Sequence, residues 1–191
     1  MDGLKILATA AHITQAEDSY GNPKPGSMWG GKVFYLTADF VEGKIEGGEC
    51  VAQDDGADIS LVAIKMEPDY KILPIVDPGK WATKSPGPEY INTGKIAVFH
   101  GYGSGKWQVS KGYLAFVKGD YSTTDACVFP GQSGGPMVVD GAYVGVVSGG
   151  DAWHPFKDET GKQKNCTWPA RAGRGVRLQA NLDMVMARYK K

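Results

Sequence analysis

The segment Phe129-Pro130-Gly131-Gln132-Ser133-Gly134-Gly135-Pro136 sets a serine in a turn with glycine on both sides. A serine hydroxyl is a weak nucleophile and needs help from its surroundings. Glycines permit positive φ and let backbone N–H groups approach a bound carbonyl. The amides of Gly131 and Ser133 are therefore candidates for an oxyanion hole, where each donor typically contributes about 3–4 kcal/mol. Apolar runs follow at Met137–Val139 and Tyr143–Val147, so a rigid scaffold would hold the turn. In a chain with 27 glycines, Gly-x-Ser-Gly alone is equally a plain exposed turn. The full Gly-Gln-Ser-Gly-Gly-Pro string carries more weight.

A serine nucleophile requires a base. The chain holds three histidines, His12, His100 and His154. His12 follows a short apolar run and the small residues Thr9-Ala10-Ala11, which leave room for an imidazole between nucleophile and leaving group. Asp58 opens the apolar run Ile59–Ile64. A carboxylate at the mouth of such a strand is partly buried and must be hydrogen-bonded. A histidine Nδ1–H would satisfy it and fix the tautomer that leaves Nε2 free as a base. Asp54 and Asp55 are rivals, but neither leads directly into an apolar strand.

The elements that would position these groups are mostly strands. Short apolar or alternating runs occur at Leu4–Ala8, Lys32–Thr37, Ile59–Ile64 and Lys95–Phe99. Others lie at Val109–Val117, Pro136–Val139, Ala142–Val147 and Gly175–Leu178, many of them separated by Gly, Asn, Asp or Pro. Gly21-Asn22-Pro23 and Lys24-Pro25-Gly26 form a loop. Between Lys65 and Thr93, prolines at 68, 74, 78, 86 and 88 interrupt any long ladder, which reads as a linker. One helix is expected at the end: Asn181 as N-cap of Leu182–Tyr189, with Leu182, Val185, Met186 and Tyr189 on one face. Its basic end suits a helix C-terminus.

Bulk properties narrow the class. The chain has 191 residues and balanced charge, 21 basic against 21 acidic. No global field draws it to nucleic acid or membrane, and no apolar run is long enough for a transmembrane helix. The N-terminus lacks the pattern of a secretory signal. The cysteines are Cys50, Cys127 and Cys166. An odd, widely spaced set is a poor disulfide or zinc framework, so three reduced thiols in a reducing compartment are expected. Asn165-Cys166-Thr167 fits the glycosylation acceptor pattern, which often arises by chance.

Taken together, Thr9-Ala10-Ala11-His12, Asp58-Ile59-Ser60-Leu61 and Gly131-Gln132-Ser133-Gly134-Gly135-Pro136 resemble the three catalytic motifs of chymotrypsin-like serine proteases, in that family's His, Asp, Ser order. Phe99-His100-Gly101-Tyr102-Gly103 is similar to the turn that opens the family's second barrel. Val146-Val147-Ser148-Gly149-Gly150 is similar to the strand that flanks its specificity pocket and pairs with substrate backbone. The resemblance spans roughly residues 4 to 189.

The resemblance implies an all-β protein of two six-stranded-type antiparallel β-barrels with a C-terminal α-helix. Residues 1–66 would form the barrel carrying His12 and Asp58, 67–93 the linker, 94–178 the barrel carrying Ser133, and 179–191 the helix. Only about one strand precedes His12, so the first barrel is either trimmed or completed by residues upstream. The implied activity is endopeptidase cleavage through an acyl-enzyme, with Gly131 and Ser133 as oxyanion donors and no metal or organic cofactor. Cys127 and Val128 would lie at the base of the specificity pocket, with Ser148, Gly149 and Gly150 as one wall. No aspartate stands at that base, so a preference for Lys or Arg is not supported.

Gln132 stands where zymogen-activated members carry an aspartate that pairs with a freed N-terminal amine. That departure, the few cysteines and the compact size resemble viral polyprotein-processing members. The implied partner is a polypeptide substrate, its own precursor among them, in an intracellular setting such as a host cytoplasm. Nucleic acid is not an expected partner. The insert Asp151–Arg174 carries His154, Lys157, Lys162, Lys164, Arg171 and Arg174. It reads as a charged surface loop or as a device favouring an acidic or small polar residue before the scissile bond. Two other readings are a non-catalytic binding module on this fold and a protein that cleaves only itself, then serves a structural or RNA-binding role.

Overall fold

The computed structural model describes residues 4–15, 33–36, 42–45, 49–65, 73–81, 83–84, 91–103, 106–158 and 160–189. The loop expected at 21–26 and parts of the linker lie outside them.

The N-terminal part is built on β5 (Ile59–Lys65), the apolar run that Asp58 opens. Ile59, Leu61 and Val62 of this strand are buried. It pairs antiparallel with β1 (Leu4–Thr9) on one side and β4 (Glu49–Asp54) on the other. A one-turn helix, α1 (Ala11–Thr14), follows β1. Strands β2 (Val33–Leu36) and β3 (Glu42–Ile45) form a separate two-stranded sheet. Among the described residues this half is therefore two small sheets.

In the linker region, Pro78–Trp81 make a 3-10 turn. Ile75 bridges Tyr143, while β6 (Thr83–Lys84) pairs with β7 (Ile91–Asn92). The C-terminal part is a closed six-stranded barrel of β8 (Ile96–Gly101), β9 (Gln108–Lys118), β10 (Tyr121–Thr124), β11 (Pro136–Val139), β12 (Ala142–Lys157) and β13 (Gln163–Arg174). Around the barrel the order is β10-β13-β12-β11-β8-β9. Register shifts at Thr123/Thr124, Met137/Val138 and Val147/Gly149 bend the strands enough to close it. Asp140 and Gly141, both at positive φ (50° and 75°), make the tight hairpin turn between β11 and β12. Phe99, Leu114, Met137, Val139, Val144 and Val147 fill the interior.

Val146 faces the other way. It joins Ile59 and Leu61 of the first sheet and Leu178 and Val185 of the terminal helix in a second cluster. That helix, α2, runs Gly175–Tyr189, which corrects two expectations. Gly175–Leu178, expected as a strand, is its first turn, and Asn181, expected as the N-cap, lies inside it and donates Nδ2–H to Asp54 Oδ2 at 3.3 Å. The buried face begins at Leu178, one turn before Leu182 and Val185. The strand ends at Arg174, whose guanidinium holds both oxygens of Asp77 at 2.9 Å and the Gly119 carbonyl.

Asp151–Arg174 is not a loop but a hairpin, the outer lengths of β12 and β13 paired from Ala152↔Trp168 to Lys157↔Gln163. The cysteines also differ from expectation: Cys127 and Cys166 form a disulfide and Cys50 alone is free. Cys166 sits on the inner side of the hairpin, fully buried, where it meets the segment before the serine turn.

Candidate active site

Asp58 sits between the turn 55–58 and β5 in the left-handed region, at φ 52°, which aspartate tolerates better than most residues. That geometry turns both carboxylate oxygens toward α1. Oδ1 accepts the backbone N–H of His12 at 2.9 Å, and Oδ2 lies 2.8 Å from His12 Nδ1. A third donor comes from the barrel, since Ser148 Oγ–H donates to Oδ2 at 2.5 Å. Burial pushes the Asp58 carboxyl up, but the bonds from His12 and Ser148 outweigh it and hold the group below the usual carboxylate range. With Nδ1 donating to a carboxylate, the lone pair of His12 resides on Nε2.

The histidine's platform is held by buried polar contacts. Thr14 Oγ bonds Ser60 Oγ at 2.6 Å and donates to the Ala11 carbonyl at 3.0 Å, tying α1 to β5. Ala10 and Ala11 are fully buried, so the small residues before His12 let the one-turn helix seat closely. The rival aspartates have structural partners. Asp54 accepts from the Ala57 amide and binds Arg177, while Asp55 accepts from Gln15 and Gln53.

The serine turn joins β11 to the segment after β10. Gly131 is at φ 96° and Gly134 at φ 82°, both in glycine territory. A Cβ on Gly134 would run into Thr9 Oγ1 and Ile13, so the turn presses directly on the residues flanking His12. The Gly134 amide donates to Val147 O and the Gly135 amide to Gln132 O. Ser133 Oγ–H donates to the Ser148 carbonyl at 3.0 Å. Ser148 thus touches both sides: its hydroxyl serves Asp58 and its carbonyl receives Ser133. No hydrogen bond joins Ser133 to the His12 ring in this arrangement. Such bonds are commonly loose without substrate.

The chain has a counterpart among known families. The family model of the trypsin-like peptidase domain matches residues 2–146. The chain belongs to the trypsin-like peptidase family. No curated protein matches it. As a trypsin-like peptidase it is a serine-protease type of hydrolase that acts on polypeptides, on a mostly β fold that includes, among the described residues, a closed six-stranded barrel, a three-stranded sheet and a C-terminal helix. The matched stretch contains His12, Asp58 and Ser133 and stops before Ser148.

The residues expected at the peptidase's pocket lie on β12 and on the segment between β10 and β11. Cys127 is tied to Cys166. Val128 is buried and exchanges two backbone hydrogen bonds with Thr167, at 3.0 and 2.8 Å, so it belongs to the barrel wall. Gly149 faces open space, whereas a Cβ on Gly150 would strike Thr167. Among the hairpin's cations, Lys164 pairs with Asp158, Arg171 with Asp151 and Arg174 with Asp77. Those pairs leave less positive charge than the sequence suggests for an acidic side chain. His154 lies against Trp168 on the hairpin. The donor role of Ser148 toward Asp58 was not legible in the sequence, which offered it only as pocket wall.

Among the described residues, no group of three or more His, Cys, Asp or Glu could hold a metal ion. No helix among them is long and apolar enough to cross a membrane.

Proposed function

We propose that the chain is a serine endopeptidase in which Ser133 is the nucleophile, His12 the general base and Asp58 the group that orients the histidine. The observation that carries this reading is the bridge through Ser148, which contacts Asp58 and Ser133 at once. His12 Nε2 takes the hydroxyl proton as Ser133 Oγ attacks the scissile carbonyl carbon. The N–H groups of Gly131 and Ser133 receive the negative charge on the carbonyl oxygen. Among the described residues neither amide donates to a backbone carbonyl, whereas those of Gln132 and Gly135 bond within the turn and that of Gly134 bonds Val147 O. His12 then protonates the leaving nitrogen as the C–N bond breaks. His12 next takes a proton from water as the water oxygen attacks the ester carbon, and returns it to Ser133 Oγ as the C–O bond breaks.

In this reading residues 1–66 carry His12 and Asp58, 67–93 link, 94–178 carry Ser133 and 179–191 close the fold. Cys127, Val128, Ser148, Gly149 and Gly150 border the substrate, the open space at Gly149 being the best support for a peptide lying there. The natural substrate is a polyprotein of the kind viruses process, its own precursor included. Glutamine at 132 in place of an activation aspartate supports that role. A persistent disulfide belongs to an oxidising compartment, so the cysteines lend no support to an intracellular setting. Replacing Ser133 by Ala tests the core of the reading: peptide-library cleavage disappears while circular dichroism and the unfolding midpoint are unchanged. Undiminished cleavage by that variant would overturn it.

A further inference from the structure

Gln132 is the residue beside the nucleophile, and it is completely buried. Its side chain folds back on its own turn. Oε1 accepts the Phe129 amide at 2.9 Å and lies 3.4 Å from Ser110 Oγ of β9. The backbone repeats the connection, since the Gln132 amide donates to Phe129 O at 3.0 Å. Both peptide groups of Phe129 are thereby locked to one residue, and the Gln132 carbonyl receives the Gly135 amide at 3.1 Å. Nε2 is buried without a partner among the described residues, so the side chain is held through its oxygen.

The neighbouring loop is shaped to this brace. A Cβ on Gly101 would stand 3.1 Å from the Gln132 Cα, one on Gly131 would enter the Tyr102 carbonyl, and one on Gly135 the His100 carbonyl. The turn before β9 and the serine turn are therefore interlocked backbone to backbone. The weak point is Gly131, which carries a candidate oxyanion donor at φ 96° and has no side chain to hold it. The closed ring from Phe129 to Gln132 resists a turning over of the peptides between them.

We propose that Gln132 is a positioning residue that keeps the oxyanion turn permanently assembled, so that the enzyme needs no freed N-terminal amine to build its oxyanion hole. The inference rests on the reading of the chain as a serine endopeptidase. Gln132→Met keeps the length and removes the accepting oxygen. In the full chain it is expected to lower kcat on a peptide substrate about 100-fold or more, with KM within about threefold, because the lost donor acts on the transition state. Gln132→Glu, which keeps an oxygen for the Phe129 amide, is expected to recover at least tenfold of that loss. A Gln132→Met enzyme with kcat within threefold of wild type overturns the proposal, and so does equal loss in both variants. Should Gln132→Met fail to fold, the wild-type chain with an uncleaved, acetylated N-terminal extension decides. Equal kcat with and without the extension supports the proposal; activity that appears only after the extension is removed overturns it. Absence of fluorophosphonate labelling in the wild type would instead defeat the endopeptidase reading itself.

Discussion

The two sides of the site are held by different means. Ser133 stands on a closed barrel, and its turn is fixed by close backbone approaches at glycines and by the Gln132 ring. His12 and Asp58 stand on a three-stranded sheet, and side-chain hydrogen bonds set their geometry. A backbone-locked turn tolerates almost no added atoms. Added atoms on the serine side should therefore act through strain and unfolding, and lost polar groups on the histidine side through loss of chemistry in a folded protein.

The largest expected effect lies on the polar side. Asp58→Asn preserves shape but presents an amide to Nδ1 and favours the wrong imidazole tautomer, so kcat should fall by about 10⁴ with little change in KM. Steady-state kinetics with the unfolding midpoint measured alongside checks this; a parallel collapse of stability would erase the contrast. On the barrel side, Cys166→Ser opens a disulfide that closes a sequence separation of 39. The chain-entropy model assigns such a loop about 3–4 kcal/mol, to be read from urea unfolding. Equal stability of the variant would show that the bridge does not hold the barrel wall.

Ser148 links the sides and should give a middle result. A hydrogen bond to a charged group contributes roughly 1.5–3 kcal/mol, so Ser148→Ala should lower kcat about 10- to 100-fold and let the Asp58 carboxyl rise toward its ordinary value. The smallest effect is on acid stability. Asp58 is held below the usual carboxylate range when folded, so its contribution is complete above the unfolded value near 4. It is lost as the pH falls through the lowered folded value. The wild type should lose stability over that acidic interval more steeply than Asp58→Asn, as read from urea midpoints at a series of pH values.

Much of the site was readable because its residues sit at chemically marked places. Glycines around Ser133 announce a turn, and an aspartate before Ile59–Ile64 must find a donor. The strands with clear apolar runs, such as β5 and β11, were readable for the same reason. The outer hairpin was not, because its residues from Asp151 to Pro155 are all exposed and carry no alternating apolar pattern. Nor was the disulfide, since pairing Cys127 with Cys166 depends on the hairpin's register. The helix began early because Leu178 packs on the seam between the sheets, a surface that exists only once both are folded. The link from Ser148 to Asp58, 90 positions apart, likewise requires the assembled interface.

The central claim is that His12 and Asp58 act on Ser133 across that interface. Fluorophosphonate labelling followed by peptide mapping tests it most directly. A single adduct on Ser133 in the wild type, formed at least a thousand times more slowly in His12→Ala, is the result expected of a histidine acting as general base. An adduct elsewhere, or labelling of Ser133 at the same rate without the imidazole, would contradict it.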